Sequence, residues 1–562
     1  MTSGRAQAVV AAADLDEVLA PRHGIVAERR VGSAPPAREG RIAPPPGTDM
    51  TQTVRFEQEE GPLQHYERRV EVHVRADGMV EVTQSVNLRV GLRGFSWLFA
   101  LPLRAYTGRI GRLRRDPWWA PPARLSRRAA VVLATLCLLT IVVGYLTDLL
   151  ADTMTYAGGD FRVARSGQGI ALGVVEAGAV GALVLLHLAD RRGRRPVLVA
   201  TLMAAIVAST AGAVAPSLVI LTAFQLVASS LVGAGLVIIG VMAAEEMPAG
   251  SRAWALGVIG MCFGFGSGLT LVVLPLADLG PSGWRWPYAI SLLGVPAVLL
   301  CVRRLPESRR WQDPSTTLDL TAAPGSASGP GVAHRDPSPA PPPRRWRDQL
   351  TPTLRRRLLI IGAGGLLLAV FTSPASQFQN EFLHTERHLS ATRISLLEQL
   401  SGTIGGLGTL VGGRLADTWG RRPVAAGGIA LGVVVTILHY TSSGVGLWAW
   451  NTVGSIISYG VGPALAVYGA ELFPTSLRAR AGGVLTVLAA AGGVIGLVAA
   501  GALSSAFGSL APALGLLAAA PVAVVILILV AYPETAGATL EELNPGDKVR
   551  SGESLVAPDI LR

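Results

Sequence analysis

Lysine is nearly missing from this chain: of 49 lysine and arginine residues, only Lys548 is a lysine. Cysteine is scarce too. Cys137, Cys262 and Cys301 each sit in an apolar stretch, with no Cys-x-x-Cys pair and no histidine at ligand spacing. That excludes a disulfide framework and a metal site, and leaves three small buried hydrophobes. Charged residues fill 15% of 562 positions and aromatics 6%, too few charges for a soluble enzyme of this length. No phosphate-binding loop, dinucleotide fingerprint or catalytic constellation occurs, which argues against an ATP-driven pump, a cofactor and an enzyme of any kind. Residues 1–49 lack the apolar core of a secretory signal.

What is present points to lipid. Half of the residues are hydrophobic, 66 are glycine, and the mean hydropathy is +0.44, values that suit a polytopic membrane protein. The formal charge is +11. Its arginines flank apolar spans and form no single face, so nucleic acid is not the implied partner. Arginine, alanine, glycine and valine in excess, with so little lysine, read as a G+C-rich coding genome of the actinobacterial kind.

Three charged motifs occur twice, in one order. LADRRGRRPV at residues 188–197 returns as LADTWGRRPV at 415–424. Glu245, Pro248, Arg252 and Gly257 return with the same spacing as Glu471, Pro474, Arg478 and Gly483, and Pro-Glu-Ser at 306–308 returns as Pro-Glu-Thr at 533–535. The offsets are 417 − 190 = 227, 471 − 245 = 226 and 534 − 307 = 227. Such a duplication in apolar sequence marks a transporter of two related halves.

Residues 64–90 alternate apolar and polar around Asp77-Gly78, which predicts a β-hairpin. Residues 94–106 are apolar but too short to span a bilayer. They form either an interfacial segment, with Arg109–Arg115 beside anionic headgroups, or a small soluble cap helix. From there, spans are expected at 128–150, 166–189, 196–214, 217–244, 251–277 and 286–303. Six more follow at 356–378, 391–416, 422–440, 447–469, 477–503 and 508–531. The expected domains are a disordered extension (1–49), a small β-hairpin and interfacial region (50–127), a first six-helix half (128–311), a disordered Pro/Ala/Ser linker (312–354), a second half (355–542) and a tail (543–562). Met50 directly precedes the first patterned sequence and is the expected translation start. Arginine-rich breaks recur on one side, which places both termini and the linker in the cytoplasm of a multi-pass inner-membrane protein. Trp284, Trp286, Trp448 and Trp450 are expected at membrane interfaces.

The doubled Leu-Ala-Asp-x-x-Gly-Arg-Arg, the Glu-x-x-Pro-x-x-x-Arg and the Pro-Glu-Ser/Thr endings resemble the major facilitator superfamily, in its metabolite/proton symporter and sugar-porter-like groups. The resemblance covers residues 128–542 and implies an all-α membrane fold of twelve helices in two pseudo-symmetric halves, working as a monomer. It further implies a cytoplasmic charge network that holds the halves together when the site faces outward: Asp190, Arg194, Glu245, Arg252 and Glu307, with Asp417, Arg421, Glu471, Arg478 and Glu534. The residues themselves allow a second reading, charges that only fix topology. Asp190 and Asp417 are placed to meet an adjacent helix N-terminus or an arginine, and Gly193 and Gly420 to permit the turn. Leu186 and Gln225 depart from the family pattern, and the sugar porters' paired glutamines and the tryptophan after Gly462-Pro463 are missing, which disfavours sugar.

Ionisable residues away from helix ends point to substrate or coupling. Glu176 lies 14 residues before Asp190, about 21 Å along a helix and so near mid-membrane. It is read either as a proton-coupling carboxylate or as a paired structural one. Asp148 and Asp152 are expected to close the first span and line the outer vestibule, unless they are ordinary helix-end charges. Gln377, Gln379, Glu398, Gln399, Asn451 and Tyr459 are further lining candidates, and His187 and His439 are read as interfacial. The pairs Gly402/Gly406 and Gly492/Gly493/Gly496 are expected at close helix contacts. The function expected is secondary active transport of a small polar organic solute by alternating access, coupled to protons. A proton-driven efflux antiporter, or a transporter-like sensor signalling through the N-terminal region, are the alternatives.

Overall fold

A computed structural model describes residues 2–11, 15–22, 25–31, 51–74, 79–90, 105–107, 109–110, 120–248, 251–307 and 351–536. The turn at Asp77-Gly78, most of residues 94–119, the central linker and the tail fall outside them.

The hairpin expected at 64–90 is part of a larger antiparallel sheet. Strands β1 (Thr2–Ala11), β2 (Ala27–Val31), β3 (Thr51–Glu60), β4 (Leu63–Val74) and β5 (Met79–Val90) pair in the order β1-β5-β4-β3-β2. Period-2 patterning turns Val54, Phe56, Val70, Val72, Val80 and Val82 to one buried face, closed by Leu15 and Val18 of a one-turn helix. Disorder was expected over 1–49, and β1 and β2 correct that for residues 2–11 and 27–31. Both are edge strands that bury little apolar surface, and β2 contributes a carboxylate to the core. Glu28 lies 2.6 Å from Arg68, both side chains buried, and the guanidinium covers the Phe56 ring at 4.1 Å. Hydrophobic periodicity cannot register a strand that docks through an ion pair.

Twelve membrane-length helical stretches follow among the described residues. They are α1 (Arg127–Asp160), α2a (Arg165–Glu176) with α2b (Gly178–Arg192), α3 (Arg194–Ala211), α4 (Leu218–Glu246), α5 (Arg252–Val273, with a 3₁₀ extension Leu274–Leu279) and α6 (Arg285–Val302). The second half holds α7 (Pro352–Gln377), α8 (Ala391–Trp419), α9 (Arg421–Thr441), α10 (Gly444–Glu471), α11 (Thr475–Phe507) and α12 (Leu510–Ala531). Nine of these are long and apolar enough to cross a membrane by themselves. The other three are α2, broken at Ala177, and α8 and α10. Ser126, Ser217, Thr351 and Ser390 cap helix N-termini with their hydroxyls.

Each half repeats one packing scheme. α1 meets α5 backbone to backbone, and α7 meets α11 likewise. A β-carbon built on Gly266 would fall 2.1 Å from the Ile141 carbonyl, and one on Gly496 would fall 2.2 Å from that of Val370. Gly492 packs the same way against Leu366, as expected. Gly402 and Gly406 meet nothing, and it is Gly405, Gly408 and Gly412 that press α8 onto α10. α2a packs against α11, with Gly169 on the Leu497 carbonyl, whereas α2b turns to α4, with Gly178 and Gly181 on Ser229 and Ser230. The break at Ala177 is therefore where the halves part. The face carrying the β-sheet is called the sheet side below, and the opposite face the far side.

Candidate functional site

The two motif copies fold identically on the sheet side. Gly193 and Gly420 take φ of 95° and 104°, a conformation that favours glycine, and turn the chain into α3 and α9. Carboxylates then cap these helices from the far end of each half. Glu307 accepts from the backbone N–H groups of Arg194 and Arg195 at 3.1 and 3.2 Å. Glu534 accepts from Arg421 and Arg422 at 2.9 and 3.0 Å. Glu307 and Glu534 thus cap the helices that follow the two motif turns. Burial opposes the charge of Glu534, but the N–H groups of Ala536, Arg421, Arg422 and Thr535 hold its carboxyl below the usual range. Arg194 pairs with Glu245 inside the first half, and Arg128 with Glu246 at 3.1 Å. The Arg252 side chain donates to the Met247 carbonyl. The side chains of Asp190, Asp417, Glu471, Arg478 and His187 lie outside the described ones.

Among the described residues, several polar links join the halves on the far side. Arg165, opening α2a, pairs with Glu381 at 3.2 Å and Glu386 at 2.9 Å, both just past α7, and donates to Thr385 at 2.8 Å. Thr155 of α1 also donates to Glu381. Glu386 in turn accepts from the Leu510 N–H, at the start of α12, at 2.8 Å. Asp278, ending α5, accepts from the N–H groups of Ala391 and Thr392, so one half caps helix α8 of the other. Arg165, Asp278, Glu381 and Glu386 are not singled out by the sequence pattern. Asp278 had one legible signal, an acid directly before Leu-Gly-Pro at a span end.

Between these faces lies the polar interior. α1 runs on to Asp160, ten residues beyond the expected end at 150. Asp148 and Asp152 therefore do not close the helix. They lie 12 and 8 residues inside it, about 18 and 12 Å from its far-side end. Polar Thr153, Thr155 and Gly158–Gly159 disguise this continuation, which is buried within the helix packing and needs no apolar surface toward lipid. Asp148 accepts from Ser267 of α5. Asp152, 9% exposed, is contacted by Asn380, whose Nδ2 donates to its backbone oxygen at 3.1 Å and its Oδ1 at 3.4 Å. Glu398 of α8 lies within electrostatic reach of both aspartates, so acidic groups of the two halves share one interior region. Around them stand Tyr145 and Tyr156 on α1, Tyr288 on α6, Tyr440 on α9 and Tyr459 on α10, with His384 beyond Tyr156.

The remaining candidates fall close by in pairs. Gln377 donates to Glu176 at 2.9 Å, across the halves, and Glu176 also lies against Gly493 of α11. Gln379 donates to Asn451 at 2.9 Å. Gln399 faces Gly268 of α5, and the Tyr459 ring lies over Gly405. His439 and Trp284, expected at interfaces, are buried. His439 packs on Phe382 and Tyr440, and the Trp284 indole donates to Asp160 at 3.0 Å. Among the described residues no group of three His, Cys, Asp or Glu side chains could hold a metal ion.

Two six-helix halves of one packing scheme, with acidic groups of both in one interior region, are the frame of a membrane-embedded transporter. The chain belongs to the Major Facilitator Superfamily, whose sequence profile matches residues 136–382 and 364–554. It is similar to Polyol transporter 5 of Arabidopsis thaliana, 27% identical over 69% of this chain and 79% of that protein. It is also similar to the glucose transporter GlcP of Staphylococcus epidermidis, 24% identical over 73% of this chain and 96% of the relative. Among solved structures, the inward open xylose transporter XylE from E. coli matches with a TM-score of 0.55 at 18% identity, over 74% of this chain and 99% of that one. Its relatives are sugar, polyol and metabolite transporters, and the chain is a secondary transporter of that sugar-porter-like kind.

Proposed function

We propose that the protein moves a small polar organic solute by alternating access, coupled to protons held at Asp148, Asp152 and Glu398. One observation carries this reading: acidic groups of both halves, Asp148 and Asp152 on α1 and Glu398 on α8, lie within electrostatic reach of one another in the interior. Charges of one sign brought together away from water repel strongly, and an ion that joins them also joins the halves. Gain and loss of a proton there changes how tightly α1 and α8 are held. Glu176 has a neutral partner, Gln377, which supports the paired structural reading of that residue and moves the coupling role to the cluster. The sheet side is cytoplasmic because the arginine-rich breaks fall there, in a plasma membrane and with the protein acting as a monomer. The ten doubled motif residues serve as the cytoplasmic gate.

The test is flux in proteoliposomes under an imposed pH gradient, with polyols, sugars and organic amines as solutes. Wild-type protein drives net movement of one of these with stoichiometric proton flow, and Asp148→Asn retains exchange but loses pH-driven accumulation. Undiminished accumulation in Asp148→Asn and Glu398→Gln alike would overturn the assignment. Deleting the sheet (residues 2–90) separates transport from sensing: transport that persists makes the sheet an accessory.

A further inference from the structure

The interior site is short of positive charge. Of the described side chains in the twelve helices, no arginine or histidine lies more than five residues from a helix end, Arg357, Arg414 and Arg480 being the deepest. The basic groups nearest the carboxylates are engaged elsewhere. Arg165 is held by Glu381 and Glu386, and His384 has its Nδ1 against the Leu389 carbonyl. The cluster also contains buried acceptors with no partner among the described residues. Asn380 is 4% exposed, and its Nδ2 is spent on Asp152 while its Oδ1 meets no donor. Glu398 Oε1 is buried and equally unmet. Unmet acceptors beside carboxylates cost free energy that a cationic donor would recover.

A metal ion does not fit, since no three acidic side chains converge closely enough to cage one. An organic cation needs no such cage. Tyr156 and Tyr459 stand in the field of the same carboxylates, and Tyr459 is half exposed, so its ring is free to lie against an alkylammonium group. A neutral polyol would supply hydroxyl donors but could not balance the charge left when the carboxyls release their protons.

We infer that the solute is an organic cation, a protonated amine or quaternary ammonium compound, whose charge is held by Asp148, Asp152, Glu398 and Asn380. The inference rests on the transporter reading and names its substrate class. It is tested on full-length protein in lipid nanodiscs by thermal shift and equilibrium binding. The probes are choline, protonated benzylamine and benzyltrimethylammonium, with 3,3-dimethylbutan-1-ol, the uncharged isostere of choline, and xylitol as neutral counterparts. At least one cation should raise the unfolding midpoint where the neutral compounds do not. Its affinity should fall about thirtyfold or more in Asp148→Asn and Glu398→Gln, as for a buried charge pair losing one partner. Both variants are first checked for a cooperative unliganded transition, and Asn380→Asp, which adds charge without changing shape, should tighten cation binding if either fails that check. The inference is overturned if none of the three cations binds, if the neutral compounds bind as well, or if affinity survives in the variants. Proteoliposome flux separates the two levels. Xylitol flux without cation flux removes the cation class and keeps the transporter, whereas cation binding without flux of any solute keeps the site and removes the transport reading.

Discussion

The two faces of the membrane domain handle charge in opposite ways. On the sheet side, Glu307 and Glu534 are satisfied inside their own halves by the N-termini of α3 and α9, and Arg194 finds Glu245 in the same bundle. On the far side, Arg165, Asp278, Glu381 and Glu386 find partners across the halves. Each half can therefore part from the other on the sheet side while keeping its caps, whereas parting on the far side breaks ion pairs. Among the described residues, the contrast is between local caps on one face and links across the halves on the other.

The largest effect should come from Arg165→Ala. It leaves Glu381 and Glu386 partly buried without their cation, and breaking such pairs costs about 3 kcal/mol or more. Spin labels on the exposed far-side positions Val214 and Val445 should then report a widened distance population, and an unchanged distribution would remove Arg165 from the seal. Asp278→Ala should act the same way but more weakly, by about 1 kcal/mol, because it removes only a cap. Asp278→Asn should restore most of that, as asparagine caps nearly as well.

On the sheet side, Glu307→Gln and Glu534→Gln should each lower stability by roughly 0.3–1 kcal/mol. They lie in different halves, so the double variant should be additive within about 0.5 kcal/mol in thermal unfolding. Strong coupling between them would mean that the two caps already touch across the gate. The smallest effect is in pH. The Glu534 carboxyl is held low in the folded protein, so its contribution is present above its unfolded value near 4.5 and is lost as pH falls through the folded one. The gap between wild type and Glu534→Gln should therefore close on acidification below 4.5; a gap that persists there would mean the carboxylate is not what caps α9.

The halves, the twelve helices and the turn at Gly193 and Gly420 were legible because they are written locally, as apolar length and repeated spacing. Other features were not. β2 docks by the Glu28–Arg68 pair, which no periodicity reveals. Asp148 and Asp152 read as helix-end charges because the last turns of α1 are polar, and only their burial against Asn380 and Ser267 shows that the helix continues. Arg165 looks like any loop arginine until Glu381, over two hundred residues away, is placed beside it. Cross-half partners are set by packing, and packing is invisible one segment at a time.

The most direct test measures both faces at once. Spin-label pairs at Val214 and Val445 on the far side, and at Arg192 and Trp419 on the sheet side, are followed as pH and solute are varied. The account predicts opposite changes: whenever the far-side pair lengthens, the sheet-side pair shortens. Distances that move together, or one pair that never moves, would contradict it.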